Sequence, residues 1–157
     1  MSSRRLLLVG AVMLALGACA SDAAGPKDAD GRDLERLAVV TATGEHQFWV
    51  EIRDDDEGRQ RGMMFRPPLE DDRGMLFQFP DSAERGFWMR NTPNSLDIIY
   101  IAADGRIVSI AKHTTPNSES TYPSNGASKG VLELRAGRSD EIGAKPGDQV
   151  RHPFFGN

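Results

Sequence analysis

From residue 37 onward, hydrophobic and polar positions alternate along much of the chain, the period of a half-buried β-strand. Within residues 46–53, Phe48, Val50 and Ile52 share one face while Trp49, Glu51 and Arg53 share the other. Met75, Phe77 and Phe79 line one side of the next run, and Phe87 and Met89 oppose Trp88 and Arg90 in another. Residues 96–101, Leu-Asp-Ile-Ile-Tyr-Ile, are almost wholly apolar, as expected of a strand covered on both faces. Asp104-Gly105 then separates this run from Arg106–His113, and the pair predicts a hairpin with a type I′ turn. Residues 131–135 and 148–152 add two strands, the last preceded by Pro146-Gly147, which suits a type II turn. With residues 37–41 the total is about eight short strands, the pattern of a sandwich or barrel.

Helix signals are few. Asp54 to Glu57 place acids where a first helical turn favours them, with Glu57 and Arg61 at i,i+4 spacing. Ser139 to Ile142 predict a second short helix capped by Ser139.

The first twenty residues follow a different pattern. Arg4 and Arg5 precede an unbroken apolar run from Leu6 to Leu16, then Gly17, Ala18 and Cys19. The run is shorter than the roughly 20 apolar residues a membrane span needs, so it predicts an export signal. Leu16-Gly17-Ala18-Cys19 resembles a bacterial lipobox, which implies cleavage before Cys19 and fatty acylation (palmitate or a related chain) of that residue. Ala20 in place of Asp favours the outer membrane by resemblance to Gram-negative sorting rules. The expected organisation is a leader at 1–18, acylated Cys19 with a small, polar tether through residue 33, and one β-rich domain from 34 to 157.

Composition narrows the picture further. The 157 residues, 39% hydrophobic and 27% charged, suit one domain that is neither disordered nor multi-spanning. The net charge of −4, with no basic block, argues against sequence-independent nucleic-acid binding. The single cysteine excludes an intramolecular disulfide and a thiolate metal cluster.

The ordered blocks Arg-Gly-Met-Met-Phe-Arg (61–66), Gly-Met-Leu-Phe-Gln-Phe-Pro (74–80), Phe-Trp-Met-Arg-Asn-Thr (87–92), Leu-Asp-Ile-Ile-Tyr-Ile (96–101), Ala-Asp-Gly-Arg-Ile-Val-Ser-Ile (103–110), Tyr-Pro-Ser (122–124) and Val-Leu-Glu-Leu-Arg-Ala-Gly (131–137) resemble the bacterial and archaeal family known as domain of unknown function number 192. The resemblance spans about residues 37–153. It implies a compact, mainly β, jelly-roll-like sandwich and no particular reaction. Many members of that family carry cysteines in the loop before Tyr-Pro-Ser; here the loop has none.

Candidate chemistry is sparse. His46, His113 and His152 are far apart, and the acidic runs lack the spacing of a calcium loop. Met63, Met64, Met75 and Met89 fit core packing better than copper ligation. There is no nucleophile elbow and no phosphate loop, so the sequence points to no metal and no cofactor. Asp97 falls in phase with Ile99 and Ile101, so its carboxylate is expected in apolar surroundings. It either works as an acid or base beside Asn91, or locks a turn by accepting backbone hydrogen bonds. Arg66 either clamps an anionic ligand or pairs with Asp97 or Glu70. Residues 113–128 form the longest aperiodic stretch. Trp88 and Tyr122 offer aromatic surfaces that either hold a ligand or plug the core.

The sequence therefore predicts an envelope lipoprotein on the periplasmic face of the outer membrane. Its domain is expected to bind a small molecule, glycan or peptide through Arg66, Trp88, Asn91, Asp97 and Tyr122. Two alternatives stand beside this: an envelope enzyme using Asp97 as general acid or base, and a structural accessory domain without a ligand.

Overall fold

The structure, a computed structural model, describes residues 25–157. The leader, Cys19 and the first part of the tether lie outside the described residues. Among those described, the alternating runs form seven strands: β1 (Glu35–Thr41), β2 (Gly44–Arg53), β3 (Arg73–Phe87), β4 (Leu96–Ile101), β5 (Ile107–Ala111), β6 (Tyr122–Arg135) and β7 (Gln149–Arg151). Two short helices, α1 (Asp56–Arg61) and α2 (Arg138–Glu141), and a 3-10 turn at Pro153–Phe155 complete the set.

The strands make one mixed sheet in the order β5-β4-β6-β3-β2-β1-β7. All neighbours are antiparallel except β2 and β3, which run parallel and are joined through α1 and the loop after it. The sheet curls into a half-barrel until its ends meet. Ile107 N–H donates to Asp148 O at 2.9 Å, and Val150 N–H donates to Gly105 O at 2.8 Å. The mainly β fold predicted from alternation is therefore what forms.

Seven strands replace the expected eight because residues 74–79 and 87–90 do not make separate strands. β3 runs continuously from Arg73 to Phe87, with register shifts at Gln78/Ala83 and Glu84/Gly86. Those bulges carry it across Pro80-Asp81-Ser82, where alternation breaks. Its far half pairs with residues 122–128, so much of the aperiodic stretch is strand rather than loop. Asp104-Gly105 does turn the β4–β5 hairpin, but with a different geometry. Gly105 alone takes positive φ (85°), Gly105 N–H donates to Ala102 O, and the register slips at Tyr100/Ile101. This is a type I turn closed by a glycine bulge.

Asp55 caps α1 by accepting from Gly58 N–H at 2.7 Å. The expected Glu57–Arg61 pair is replaced by Arg59–Asp56 at 2.6 Å. Pro146-Gly147 forms the turn into β7, with Asp148 N–H donating to Lys145 O and Gly147 at φ 95°.

Two apolar clusters occupy the two faces of the sheet. The concave face holds Leu37, Phe48, Leu76, Ile99, Leu132, Val150 and their neighbours. The convex face of β3, β4 and β6 holds Met75, Phe77, Ile98, Tyr100 and Val131, roofed by Met63 and Met89 from the segments after α1 and β3. β4 is thus buried on both sides, as its unbroken apolar run predicts. Each roofing methionine removes apolar surface worth about 1.5–3 kcal/mol, which fixes those segments over the sheet.

Residues 25–33, assigned to the tether from their composition, are folded down. Asp28 Oδ1 accepts from Asp30 and Arg32 N–H at 2.9 and 2.8 Å, and Asp28 Oδ2 lies 3.6 Å from Arg53. The turn packs on the outer face of β2, where Gly25 meets Trp49.

Candidate ligand-binding cleft

α1 ends at Gly62, whose φ of 43° and ψ of −128° reverse the chain and leave only 3.2 Å between a would-be Cβ and the Phe77 ring. That turn sends Met63 down into the convex-face cluster and leaves Phe65 pointing away from it. Phe65 sits at φ 59°, a conformation that costs a bulky residue of order 1 kcal/mol or more. It is held there by two ties to the loop after β3. Phe65 N–H donates to Asn91 O at 2.8 Å, and the Asn94 amide donates to Arg66 O at 2.8 Å. Asn91 itself takes φ 55°, which asparagine tolerates.

The same alternation operates on the partner loop. Met89 is fully buried, so its neighbour Trp88 faces outward. Among the described residues, Phe65 (76% exposed) and Trp88 (44%) are the large hydrophobic side chains left on the surface. Both line one cleft of about 490 Å³, bordered by Gln60, Arg61, Arg90 and Asn91. This lies within the size range of small-ligand pockets. The Arg90 guanidinium lies 5.4 Å from the Trp88 ring centroid. A second, more polar cavity of about 600 Å³ adjoins the first and shares Glu57, Arg61, Met64 and Phe65 with it.

The five site residues expected from sequence do not converge. Trp88 and Asn91 do meet in the aromatic cleft. Arg66 lines the adjoining cavity, but its guanidinium is taken by Glu51, not by Asp97 or Glu70. Glu51 also pairs with Arg53 at 2.6 Å, so it links two arginines under the 25–33 turn.

Tyr122 packs on the convex-face cluster, away from the cleft. Its hydroxyl accepts from Thr115 N–H at 2.8 Å and its carbonyl accepts from the Tyr100 hydroxyl at 2.5 Å. Asp97 is fully buried and lines neither of these cavities. Oδ1 accepts from His113 N–H at 3.0 Å, while Oδ2 accepts from Ser139 N–H at 2.9 Å and Ser139 Oγ at 2.6 Å. This is the locking arrangement of the two weighed for Asp97, and it withdraws Ser139 from the helix-capping role expected of it.

Two residues with unusual surroundings, Phe65 and Glu133, lie outside the candidates read from the sequence. Phe65 stands next to Arg66, where the glycine after α1 signals a reversal of the chain. Glu133 is buried among apolar side chains on β6. Its Oε2 has no hydrogen-bond partner, and burial pushes its carboxyl up to about 8. It alternates in phase with Val131, the same signal that singled out Asp97. His152 is also buried, and its Nδ1 accepts from Phe154 N–H at 3.2 Å. Burial lowers its imidazole below the ordinary value, against an opposing pull from the Glu35 carboxylate.

A half-barrel domain with one aromatic cleft on its convex side is the class of protein these features define. The chain belongs to the DUF192 family, described as uncharacterized ACR, whose model matches residues 38–152. A Novosphingobium aromaticivorans protein of unknown function has a similar structure, with a TM-score of 0.79 at 34% identity over 83% of this chain and 94% of its own. A Sinorhizobium meliloti protein, described as a candidate transcription regulator, aligns with a TM-score of 0.74 at 37% identity over 77% of this chain and 95% of its own. No curated protein matches the chain.

Proposed function

We propose that the chain is a lipid-tethered binding domain of the bacterial cell envelope, and that it holds a small molecule, glycan or peptide in the cleft between Phe65 and Trp88. The observation that carries this reading is the strained display of Phe65. An apolar ring held at positive φ and three-quarters exposed makes no contribution to the core that would offset its strain. Its placement opposite a second exposed aromatic ring, across a cleft of ligand size, gives it a use. The envelope assignment rests on the Arg4-Arg5, Leu6–Leu16 and Cys19 pattern.

Thermal-shift screening of the protein against envelope metabolites, glycans and peptides tests the binding claim. A shift abolished by Trp88→Ala supports it, whereas no shift across the panel favours a structural accessory role. Intact-mass measurement of membrane-extracted protein tests the anchor. A mature chain beginning at Cys19 with added acyl mass is expected, and Cys19→Ser protein is expected to leave the membrane fraction.

A further inference from the structure

The polar side chains around the aromatic cleft are largely without partners among the described residues. Most arginines of this chain are engaged: Arg59 with Asp56, Arg85 with Asp81, Arg135 with Asp71 and Glu141, Arg151 with Glu45. Among the described residues Arg61 makes no ion pair and its guanidinium no hydrogen bond, although it lines both cavities. Arg90 reaches Glu119 only at 3.8 Å and otherwise lies over Trp88. The side-chain amides of Gln60 and Asn91 and the carboxylate of Glu57 are likewise without partners among the described residues. The cleft therefore presents two apolar ring surfaces, the unpaired guanidinium of Arg61, a second guanidinium lying over Trp88, two amides that donate and accept, and one carboxylate that accepts.

We propose that the cleft recognises a short saccharide unit carrying a carboxylate. This deepens the binding-domain reading and rests on it. A sugar ring has an apolar C–H face that suits an aromatic platform, and vicinal hydroxyls that both donate and accept. The Gln60 and Asn91 amides satisfy both roles, and the Glu57 carboxylate accepts from hydroxyls. A carboxylate on the sugar matches the guanidinium fork of Arg61, which is pre-organised for two parallel hydrogen bonds. An extended peptide fits less well. The strongest general mode of peptide capture adds a strand to a free sheet edge. The edges of this sheet, β5 and β7, meet each other, and neither contributes to the cleft.

The experiment is isothermal titration of the full chain in detergent with two matched pairs of probes. These are N-acetylmuramic acid against N-acetylglucosamine, and a glucuronate-containing disaccharide against its glucose counterpart. An acidic tripeptide serves as the third class. The proposal expects the acidic sugar of each pair to bind at least tenfold tighter than its neutral match. It expects Arg61→Gln to bring that ratio close to one without changing the melting temperature, and Trp88→Ala to weaken acidic and neutral sugars alike. Equal affinity for both members of each pair overturns the acidic preference and leaves the binding-domain reading standing. Binding of the peptide alone, lost in Trp88→Ala, overturns the saccharide assignment and again leaves that reading. Silence with every probe, while the broad thermal-shift panel is also flat, overturns both.

Discussion

Asp97 and Ser139 are 42 positions apart in sequence, yet one carboxylate oxygen of Asp97 accepts both the backbone N–H (2.9 Å) and the hydroxyl (2.6 Å) of Ser139. The other oxygen accepts from His113 N–H at 3.0 Å. A single buried side chain on β4 thus ties the start of α2 and the end of the β5 hairpin to the centre of the sheet. Asp97→Asn turns one acceptor oxygen into a donor that faces other donors. It is expected to lower stability by about 3 kcal/mol, the scale of losing a charged hydrogen bond and stranding its partners. Ser139→Ala keeps the backbone bond and is expected to cost about 1–2 kcal/mol. Urea denaturation checks both. Ligand affinity in the aromatic cleft should survive each change, and an Asp97→Asn protein of native stability that no longer binds ligand would restore the catalytic or binding role for this residue.

Phe65 gives the opposite expectation. Asparagine occupies positive φ far more readily than phenylalanine, and the Phe65 ring is mostly in solvent. Phe65→Asn is therefore expected to leave stability unchanged or raise it by up to about 1 kcal/mol, while weakening ligand binding. Denaturation midpoints and titration on the same variant check the two halves. A clear loss of stability would mean that the ring serves the fold instead of the ligand.

How much of this was legible in the sequence follows from which interactions are local. The double burial of β4, the Asp104-Gly105 hairpin and the acidic first turn of α1 depend on neighbouring residues, and each is visible there. The length of β3 was not, because Pro80-Asp81-Ser82 breaks the alternation and only pairing with β6 carries the strand across it. The first half of β6 was hidden for a related reason: Tyr-Pro-Ser-Asn-Gly-Ala-Ser has almost no apolar residue to mark a face. For the cleft, Trp88 and Asn91 were found from one loop alone. Phe65 joins them only because its N–H bonds to Asn91 O, a contact 26 positions away that no local pattern encodes.

His152 is expected to set the acid limb of stability. Burial holds its imidazole below the ordinary 6.5 in the folded chain. The unfolded state then binds the extra proton first, so stability contributed by the neutral ring is present above about 6.5 and is lost as pH falls toward the lower folded value. Protonation of Nδ1 would also break its acceptance of Phe154 N–H, which caps the last turn. His152→Asn keeps a capping acceptor that does not titrate. It is expected to flatten the decline that sets in as pH falls below about 6.5 in melting-temperature measurements. An unchanged acid limb in that variant would assign the effect to other groups.

Glu133 works in the reverse sense. Its carboxyl lies between Met75 and Ile98 in register, with Oε2 unpartnered, and burial raises it from 4.5 to about 8. In the folded chain it is therefore mostly protonated at neutral pH, whereas in the unfolded chain it is ionised. Folding takes up a proton across this interval, so the stabilisation is complete below about 4.5 and is lost progressively as pH rises through about 8. Above that the native state must either hold a buried, unpaired carboxylate or open the convex-face cluster to solvate it. Glu133→Gln keeps the shape and removes the ionisation. It is expected to be more stable than the parent by a few kcal/mol (on the order of the full shift) near pH 9, and close to it near pH 5. Denaturation at the two pH values measures the difference directly. Equal pH dependence in both proteins would show that Glu133 reaches solvent or a partner when it ionises.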